Sequence, residues 1–331
     1  GGCGTVYRVS TTGTEKVLYS FHGGSSDGAN PAGNLIDVNG TLYGTTANGG
    51  GGCGIGCGTV YSISTTGTET MLHSFDHKYD GQQPYAGLLD VNGTLYGTTK
   101  WGGSSGNGTV YSISTSGSEK VLFSFGRNHD GAFPVSGLIN VKGTLYGTTY
   151  TGGSSGYGTV YSITTTGTEK VLHSFSSAPD GAMPTAGLID VSGTLYGTTP
   201  AGGDAICYEV GQIACGVVYS ITTSGREKVL HTFTPASDGP RYPYAGLVNV
   251  RGIMYGTTEA GGQCDSCGVV YSVTTAGYLT TLHYFLGGSG GASPNSNMID
   301  VNGTLYGTTP SGGSLKCDHH QGCGTAFALT P

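Results

Sequence analysis

Nine cysteines carry the most reactive side chains of this sequence, and eight of them fall into close pairs. Each pair ends immediately before a recurring strand-like segment, so the sequence predicts local disulfides and an oxidising compartment. Cys3 is the ninth cysteine and lacks an upstream companion. It is predicted to be free, to bond another chain, or to have lost its partner with a missing upstream segment. The predicted disulfides are Cys53–Cys57, Cys207–Cys215, Cys264–Cys267 and Cys317–Cys323.

A zinc site is the alternative for the last two cysteine pairs. Cys264 and Cys267 form a CxxC motif, and His319 and His320 lie between the cysteines of the following pair. Zinc takes cysteine and histidine ligands in a tetrahedral arrangement. The earlier pairs contain no histidine, so disulfides explain all four pairs, and no metal or cofactor is expected.

Two further series of polar residues recur in most of the repeats. One series occupies a position that also accepts Tyr19 and Phe123, which predicts an aromatic packing slot; its histidines are His73, His173, His231 and His283. The other series precedes glycine in D-G-x-x-P or a close variant, and its members are Asp27, Asp80, Asp130, Asp180 and Asp238. A turn is favoured over a calcium site here, because calcium needs six to eight oxygen ligands and no DxDxDG cluster supplies them.

No familiar catalytic arrangement is present in the sequence. It has no Ser-His-Asp pattern, no paired glutamates and no GxxxxGK[ST] loop, so we expect no enzyme. Aromatic residues in variable loops are the better functional lead, because sugars stack on exposed aromatic rings. These candidate glycan contacts are Trp101, Tyr85, Tyr150, Tyr157, Tyr208 and Tyr244.

Composition restricts the class of protein. Net charge is -7 and the 13 lysines and arginines are scattered, so nucleic acid is an improbable partner. No run of eighteen apolar residues appears, so no membrane span is predicted. The 64 glycines, with abundant threonine, serine, tyrosine and valine, favour strands and turns over helices.

The segment GTLYGTT recurs, in identical or near form, with its tyrosine at positions 43, 96, 146, 196, 255 and 306. Each copy lies within the same order of four strand-like runs, which we name a, b, c and d: AGLIDV, GTLYGTT, GTVYSIS and EKVLHSF. Asn39-Gly40 between a and b predicts a type I′ hairpin turn. Such sheets, packed around an axis, predict an all-β, six-bladed β-propeller of four-stranded antiparallel blades. A β-helix is the rival, but its coils are shorter and carry no tight hairpins.

The repeats are expected to form one domain over residues 1–331. Their predicted bounds are about 32–75, 85–125, 135–175, 185–233, 244–285 and 294–331, with N-terminal strands at 4–21 that complete or extend the terminal blade.

The repeat resembles the GloVer tandem repeat of secreted bacterial proteins in its sequence pattern, GTLYGTTxxGG…GTVYSI…G…LxSF…DGxxP. The strand order resembles that of NHL-type propeller blades. The resemblance covers nearly the whole chain. It implies an exported, propeller-like bacterial protein and supplies no catalytic residues.

The strand count is unequal, because a, b and d occur six times and c seven times. One c strand is therefore spare, and an unpaired strand edge can pair with another chain. The spare strand can also form a fifth edge strand, or the sequence can be one piece of a longer array. The candidate assembly residues at the two ends are Thr5, Val6, Tyr7, Val9, Thr325 and Phe327.

Together these features predict an extracellular or cell-surface structural protein whose partner is itself, in a head-to-tail filament. The alternatives are a monomeric, lectin-like propeller that binds glycans and an interaction domain of a longer surface protein. Four Asn-Gly-Thr sequons, read as hairpin turns, are candidate glycosylation sites: Asn39, Asn92, Asn107 and Asn302.

Overall fold

The computed structural model describes residues 2–54, 56–126, 129–205, 207, 214–236, 239–264, 266–313 and 322–331. Apart from one 3₁₀ turn at Gly288–Gly290, the regular structure of these residues is β. No described helix has the length and apolar character needed to cross a bilayer. The all-β propeller arrangement of six antiparallel blades is confirmed, and five of the blades are complete four-stranded sheets.

The strands follow the predicted order a-b-c-d in each complete blade. The chain opens with β1 (Thr5–Val9) and β2 (Glu15–Ser20). Blade 1 contains β3 (Gly28–Val38), β4 (Thr41–Gly49), β5 (Thr59–Ser64) and β6 (Glu69–Ser74). Blade 2 contains β7 (Leu89–Val91), β8 (Thr94–Thr99), β9 (Thr109–Ser114) and β10 (Glu119–Ser124). Blade 3 contains β11 (Ile139–Val141), β12 (Thr144–Thr149), β13 (Thr159–Thr164) and β14 (Glu169–Ser174).

The second half repeats this pattern. A short strand β15 (Gly181–Ala182) precedes blade 4, which contains β16 (Ile189–Val191), β17 (Thr194–Thr199), β19 (Val217–Thr222) and β20 (Glu227–Thr232). Strand β18 (Ala201–Gly202) pairs with β15. Blade 5 contains β21 (Val248–Val250), β22 (Ile253–Thr258), β23 (Val269–Thr274) and β24 (Leu279–Tyr284). The sixth repeat forms a three-stranded sheet of β25 (Ile299–Val301), β26 (Thr304–Thr309) and β27 (Thr325–Leu329).

The chain divides into two compact units, one of residues 1–152 with 161–170 and the other of residues 153–160 with 171–331. Each unit has the same internal packing. The phenylalanine that follows strand d of one blade meets the aromatic ring of strand c in the next, edge to face, with centroids 5.1–5.5 Å apart. The pairs are Phe21–Tyr61, Phe75–Tyr111 and Phe125–Tyr161 in the first unit, and Phe175–Tyr219, Phe233–Tyr271 and Phe285–Phe327 in the second.

Glycine is required at two points of the repeat. The a–b turns contain successive left-handed residues, such as Asn39 at φ 53° and Gly40 at φ 82°, as the type I′ turn predicts. In strand b, Gly97 faces the hydroxyl of Tyr111 so closely that any Cβ would overlap it. The tyrosine of strand c can therefore be fully buried because strand b carries no side chain beside it.

Candidate functional sites

The N-terminal hairpin has the conformation of strands c and d in a complete blade. Strand β1 pairs with β2 with a register shift between Val6 and Tyr7, as β19 pairs with β20 between Val218 and Tyr219. The hairpin is anchored to blade 1, because Phe21 packs on Tyr61 and the amide of Asn30 donates to the carbonyl of Cys3 at 2.7 Å. In the described residues, strands β1 and β2 thus form a two-stranded half blade in the positions of strands c and d.

Two apolar side chains on one face of strand β1 are exposed. Tyr7 is 48% exposed and Val9 is 46% exposed. The tyrosines equivalent to Tyr7 in the complete blades are at most 2% exposed, and the residues equivalent to Val9 are at most 1% exposed. In those blades a phenylalanine from the preceding strand d covers the tyrosine, as Phe75 covers Tyr111. The first repeat therefore presents side chains that the other repeats bury.

The C-terminal sheet is incomplete in the complementary way. Strand β27 pairs with β26, and Phe327 packs on Phe285, so the c position is occupied. In the described residues this sheet has three strands and no strand d. Ile299 in β25 is 55% exposed. The two ends of the chain thus carry a c–d pair and an a–b–c set.

The predicted disulfides hold the b–c loops against strand c. Three of them are formed in the structure, with Cα separations of 5.2–5.4 Å. They are Cys53–Cys57, Cys207–Cys215 and Cys264–Cys267. Cys323 is also disulfide-bonded, but its predicted partner Cys317 lies outside the described residues. Cys3 is a half-buried free thiol, and His319 and His320 of the zinc alternative lie outside the described part of the chain.

The recurring histidines do pack as the aromatic slot predicts, with ring centroids of His73 and Phe75 4.9 Å apart. The slot has a second partner that the sequence interpretation missed. His73 Nε2 lies 2.7 Å from Asp80 Oδ2, and His173 Nε2 lies 2.8 Å from Asp180 Oδ2. Tyr19 in the same slot donates to Asp27 at 3.1 Å. In these three repeats the aspartate of the D-G-x-x-P series therefore bonds the polar tip of the slot residue, whereas His283 has Gly290-Gly291 in place of Asp-Gly.

These aspartates also stabilise the turn, in agreement with the turn interpretation. Asp80 Oδ1 accepts the amide of Asp76 at 2.8 Å, and Asp180 Oδ1 accepts the amide of Gly181 at 2.7 Å. Burial acts to raise the pKa of Asp80. Its hydrogen bonds with His73 and Asp76 outweigh that effect and lower the pKa below its usual value. Asp238 lies outside the described residues.

A glutamate from the next blade completes each cluster. His73 and Asp80 meet Glu119 in the first unit, and His173 and Asp180 meet Glu227 in the second, with the candidate ligand atoms of each set within 4.8 Å of one another. Glu119 Oε1 and Glu227 Oε1 are buried and accept no hydrogen bond from the described residues. The sequence pattern that could have predicted this contact is the glutamate at the first position of strand d, which recurs in most repeats.

Burial raises the pKa of these glutamates. Desolvation, opposed by His73 and reinforced by the Asp80 carboxylate, raises the pKa of Glu119 to about 7. Desolvation and the Asp130 charge likewise raise the pKa of Glu169 to about 7. Glu69 and Glu227 have pKa values of about 7 for the same leading reason. Part of this glutamate set is therefore protonated at neutral pH.

Replacing Glu169 with glutamine is expected to remove a pH-dependent loss of stability. Because the folded-state pKa of about 7 lies above the ordinary glutamate value of 4.5, the unfolded chain ionises first as pH rises. The free energy of unfolding then falls between these two pH values and levels off above the higher one. We compare the free energy of unfolding of Glu169→Gln with that of the wild type. After allowance for solvent screening, we expect this difference to favour the variant by about 1 kcal/mol more at high pH than at low pH. Urea denaturation at about pH 4 and pH 8 measures this difference.

The control for this prediction is Glu15→Gln, in the exposed strand β2 at the equivalent position. Because Glu15 is exposed, its replacement is expected to change the free energy of unfolding by less than about 0.5 kcal/mol. A Glu169→Gln effect that is equally large at both pH values contradicts the assignment of a raised pKa.

The loop aromatics fall into two groups. Trp101 and Tyr85 are exposed, and Lys100 Nζ lies over both rings at 5.6 and 5.3 Å from their centroids. Trp101 also packs on Phe133, with ring centroids 4.3 Å apart, and the amide of Tyr150 donates to the carbonyl of Phe133. Half-buried Tyr157 and Tyr244 belong to the second unit. Tyr208 lies outside the described residues.

Three of the four sequons lie in hairpin turns, where Asn39, Asn92 and Asn302 have φ between 53° and 55°. Asn107 does not occupy a hairpin turn. It lies in the loop between β8 and β9, its side chain is half-buried, and its carbonyl accepts the amide of Phe133. The difference arises because the b–c connection is a longer loop whose backbone docks on the following blade.

Solved structures with similar folds include enzymes. A candidate 6-phosphogluconolactonase from Bacteroides uniformis matches with a TM-score of 0.52 and 12% identity over 91% of this chain and 83% of that protein. The GH74 enzyme of Niastella koreensis matches with a TM-score of 0.55 and 14% identity, over 84% of this chain and 44% of that protein. At these identities the likeness shows the fold alone.

The prediction that this chain is not an enzyme is contradicted by these matches. It rested on the absence of familiar catalytic arrangements from the sequence. A propeller instead assembles polar side chains from neighbouring blades, as the clusters around Glu119 and Glu227 illustrate. The absence of a familiar motif therefore does not exclude catalysis on this fold.

The repeat itself gives the strongest comparison. Among curated proteins, none matches this sequence significantly. The profile of the Gloeobacter/Verrucomicrobia repeat matches residues 1–210 and 205–331, which together span the whole chain. The chain therefore belongs to the Gloeobacter/Verrucomicrobia repeat family.

Proposed function

We propose that this β-propeller repeat protein is an extracellular structural subunit that assembles head to tail. In the proposed joint, the β1–β2 hairpin of one copy pairs with β26 of the next copy. Strand β1 takes the place of β27, so that β25, β26, β1 and β2 form a composite four-stranded blade. In each joint strand β27 remains outside the composite blade. This accounts for seven c strands beside six copies each of a, b and d.

The observation that carries this proposal is the exposure of Tyr7 and Val9, at 48% and 46%, in positions that every complete blade buries. In the composite blade Tyr7 would pack on Phe285 of the neighbouring copy, as Phe327 packs on it within one chain. Burying two such side chains supplies the apolar contact that association requires.

The register of the two c strands supports the exchange. Thr325 pairs with Thr309, and their hydroxyls are 2.9 Å apart. Thr5 opens β1 as Thr325 opens β27, and Cys3 precedes Thr5 by the same two residues that separate Cys323 from Thr325. Strand β1 also keeps the Thr-Val-Tyr sequence of the complete blades, whereas β27 has Thr-Ala-Phe. Strand β1 is thus the closer match to the c consensus.

The two surfaces of the proposed joint are different, so the interface is heterologous. Heterologous contacts extend into a filament unless the rotation between subunits closes a ring. Three formed disulfides favour an oxidising, extracellular setting for such an assembly.

Negative-stain microscopy and analytical ultracentrifugation of the purified protein over a hundredfold range of concentration test the proposal. The expected result is particles that lengthen with concentration along one axis. A protein that remains a monomer across that range contradicts it.

Glycan binding is the second candidate, favoured by the exposed rings of Trp101 and Tyr85, which both lie near Lys100 Nζ. We expect Trp101→Ala to reduce binding to a responsive glycan at least tenfold, because ring stacking is lost. Tyr278→Ala is the matched control, since Tyr278 is 77% exposed in the c–d turn of blade 5. A glycan array without any bound sugar, or equal loss in both variants, contradicts this candidate.

A further inference from the structure

Two clusters in the structure share one composition and one location in the repeat. Each contains a histidine and an aspartate of one blade and a glutamate of the next: His73, Asp80 and Glu119 in the first unit, and His173, Asp180 and Glu227 in the second. The three candidate ligand atoms of each cluster lie within 4.8 Å of one another. We propose that each cluster binds one divalent cation of the zinc type.

The donor set fits that class of ion. An imidazole nitrogen and two carboxylate oxygens are ligands that Zn²⁺ accepts at about 2.0–2.2 Å, and a water completes a four-coordinate site. Once ionised, the two carboxylates balance the charge of the cation, and a proton held by the glutamate is released to solvent when the ion binds. His73 Nε2 and Asp80 Oδ2 are already in contact at 2.7 Å, so only a small separation is needed to admit an ion between them.

The glutamate of each cluster has one buried oxygen without a hydrogen-bond partner. Glu119 Oε1 and Glu227 Oε1 accept no hydrogen bond from the described residues, and the same holds for Glu69 Oε1 and Glu169 Oε1 in the repeats without a slot histidine. A buried carboxylate oxygen without a partner is costly, and a cation with its bound water relieves that cost. The side chains of His73 and Asp80 are 20% and 13% exposed, so the site is sheltered but reachable.

The repeat supplies its own negative control. In the cluster formed with Glu169 the slot residue is Phe123, and in the cluster formed with Glu69 it is Tyr19. Phe123 offers no imidazole beside Asp130 and Glu169, so that repeat is the control. Beside Asp27 the exposed His22 Nδ1 lies 3.3 Å from Oδ2, so the Glu69 repeat is not free of imidazole. The protein thus contains an aspartate–glutamate pair both with and without a histidine in the slot. Comparing the two shows whether the histidine is needed for a cation to bind.

A bound ion would join neighbouring blades. Asp80 and His73 belong to blade 1 and its following turn, whereas Glu119 opens strand d of blade 2. Cation binding at this point would therefore stabilise the folded protein by linkage, independently of assembly at the chain ends.

Isothermal titration of the chelator-treated protein with Zn²⁺ tests the proposal, with Cys3→Ser as the background to remove the free thiol. The expected stoichiometry is two ions per chain, with a rise in Tm on saturation. His73→Phe should reduce the stoichiometry to one, and His73→Phe with His173→Phe should reduce it to none. Phenylalanine is tolerated at this slot, as Phe123 shows, so these variants are expected to fold.

The reciprocal change strengthens the test. Phe123→His places an imidazole beside Asp130 and Glu169 and should raise the stoichiometry from two to three. Co²⁺ absorption in the visible range should rise and fall with the number of sites. Failure of wild type to bind Zn²⁺, or an unchanged stoichiometry in the double histidine variant, overturns the proposal.

Discussion

Replacing Tyr7 and Val9 with serine will leave the protein monomeric at concentrations where the wild type assembles. Both side chains lie on the exposed face of β1, so the substitutions remove apolar contact from the joint and little from the monomer. The lost burial amounts to about 4 kcal/mol, or about a thousandfold in the association constant. Sedimentation velocity over a concentration series measures the shift.

Tyr7→Phe is the matched control for this prediction. The equivalent residue of β27 is Phe327, which packs on Phe285 with centroids 5.1 Å apart, so phenylalanine fits the same site. Tyr7→Phe should therefore assemble like the wild type. Equal assembly of the serine variant and the wild type shows that β1 is not in the joint.

Replacing Tyr111 with alanine will destabilise the protein by about 3–5 kcal/mol, whereas Tyr7→Ala will change monomer stability by less than about 0.5 kcal/mol. The two tyrosines hold the same position of strand c, but Tyr111 is fully buried against Phe75 and Tyr7 is 48% exposed. Urea denaturation below the concentration of assembly measures both effects.

The comparison holds chemistry constant and varies burial alone. Circular dichroism at low denaturant checks that Tyr111→Ala still folds, and Tyr111→Phe provides a milder variant that keeps the ring. If Tyr7→Ala costs as much as Tyr111→Ala, then Tyr7 is buried within the single chain, and the proposed joint loses its basis.

The blade architecture was predictable from sequence because its determinants are local. Asn39-Gly40 and its equivalents specify the tight turns, and the spacing of the tyrosines in strands b and c specifies the repeat. The disulfides were predictable for the same reason, since Cys53 and Cys57 lie four residues apart. Each feature depends on residues within one hairpin or loop.

The histidine clusters were only half predictable, because they join residues of two blades. The shared slot of His73, Tyr19 and Phe123 correctly indicated aromatic packing. The hydrogen bond to Asp80 depends on the path of the d–a turn, and the approach of Glu119 depends on the packing of one blade against the next. Neither contact has a signature at short sequence separation.

Disulfide trapping between two variants tests the proposed joint most directly. Thr5→Cys and Thr309→Cys are made in separate, differently tagged chains that also carry Cys3→Ser, so a bond between the new cysteines must join two copies. Because Thr309 contacts Thr325 at 2.9 Å and Thr5 is its counterpart in β1, the account predicts a cross-linked pair on mixing under mild oxidation. Mass spectrometry identifies the joined peptides. No cross-link between copies, together with a bond within the chain when both cysteines are placed in one molecule, would contradict head-to-tail assembly.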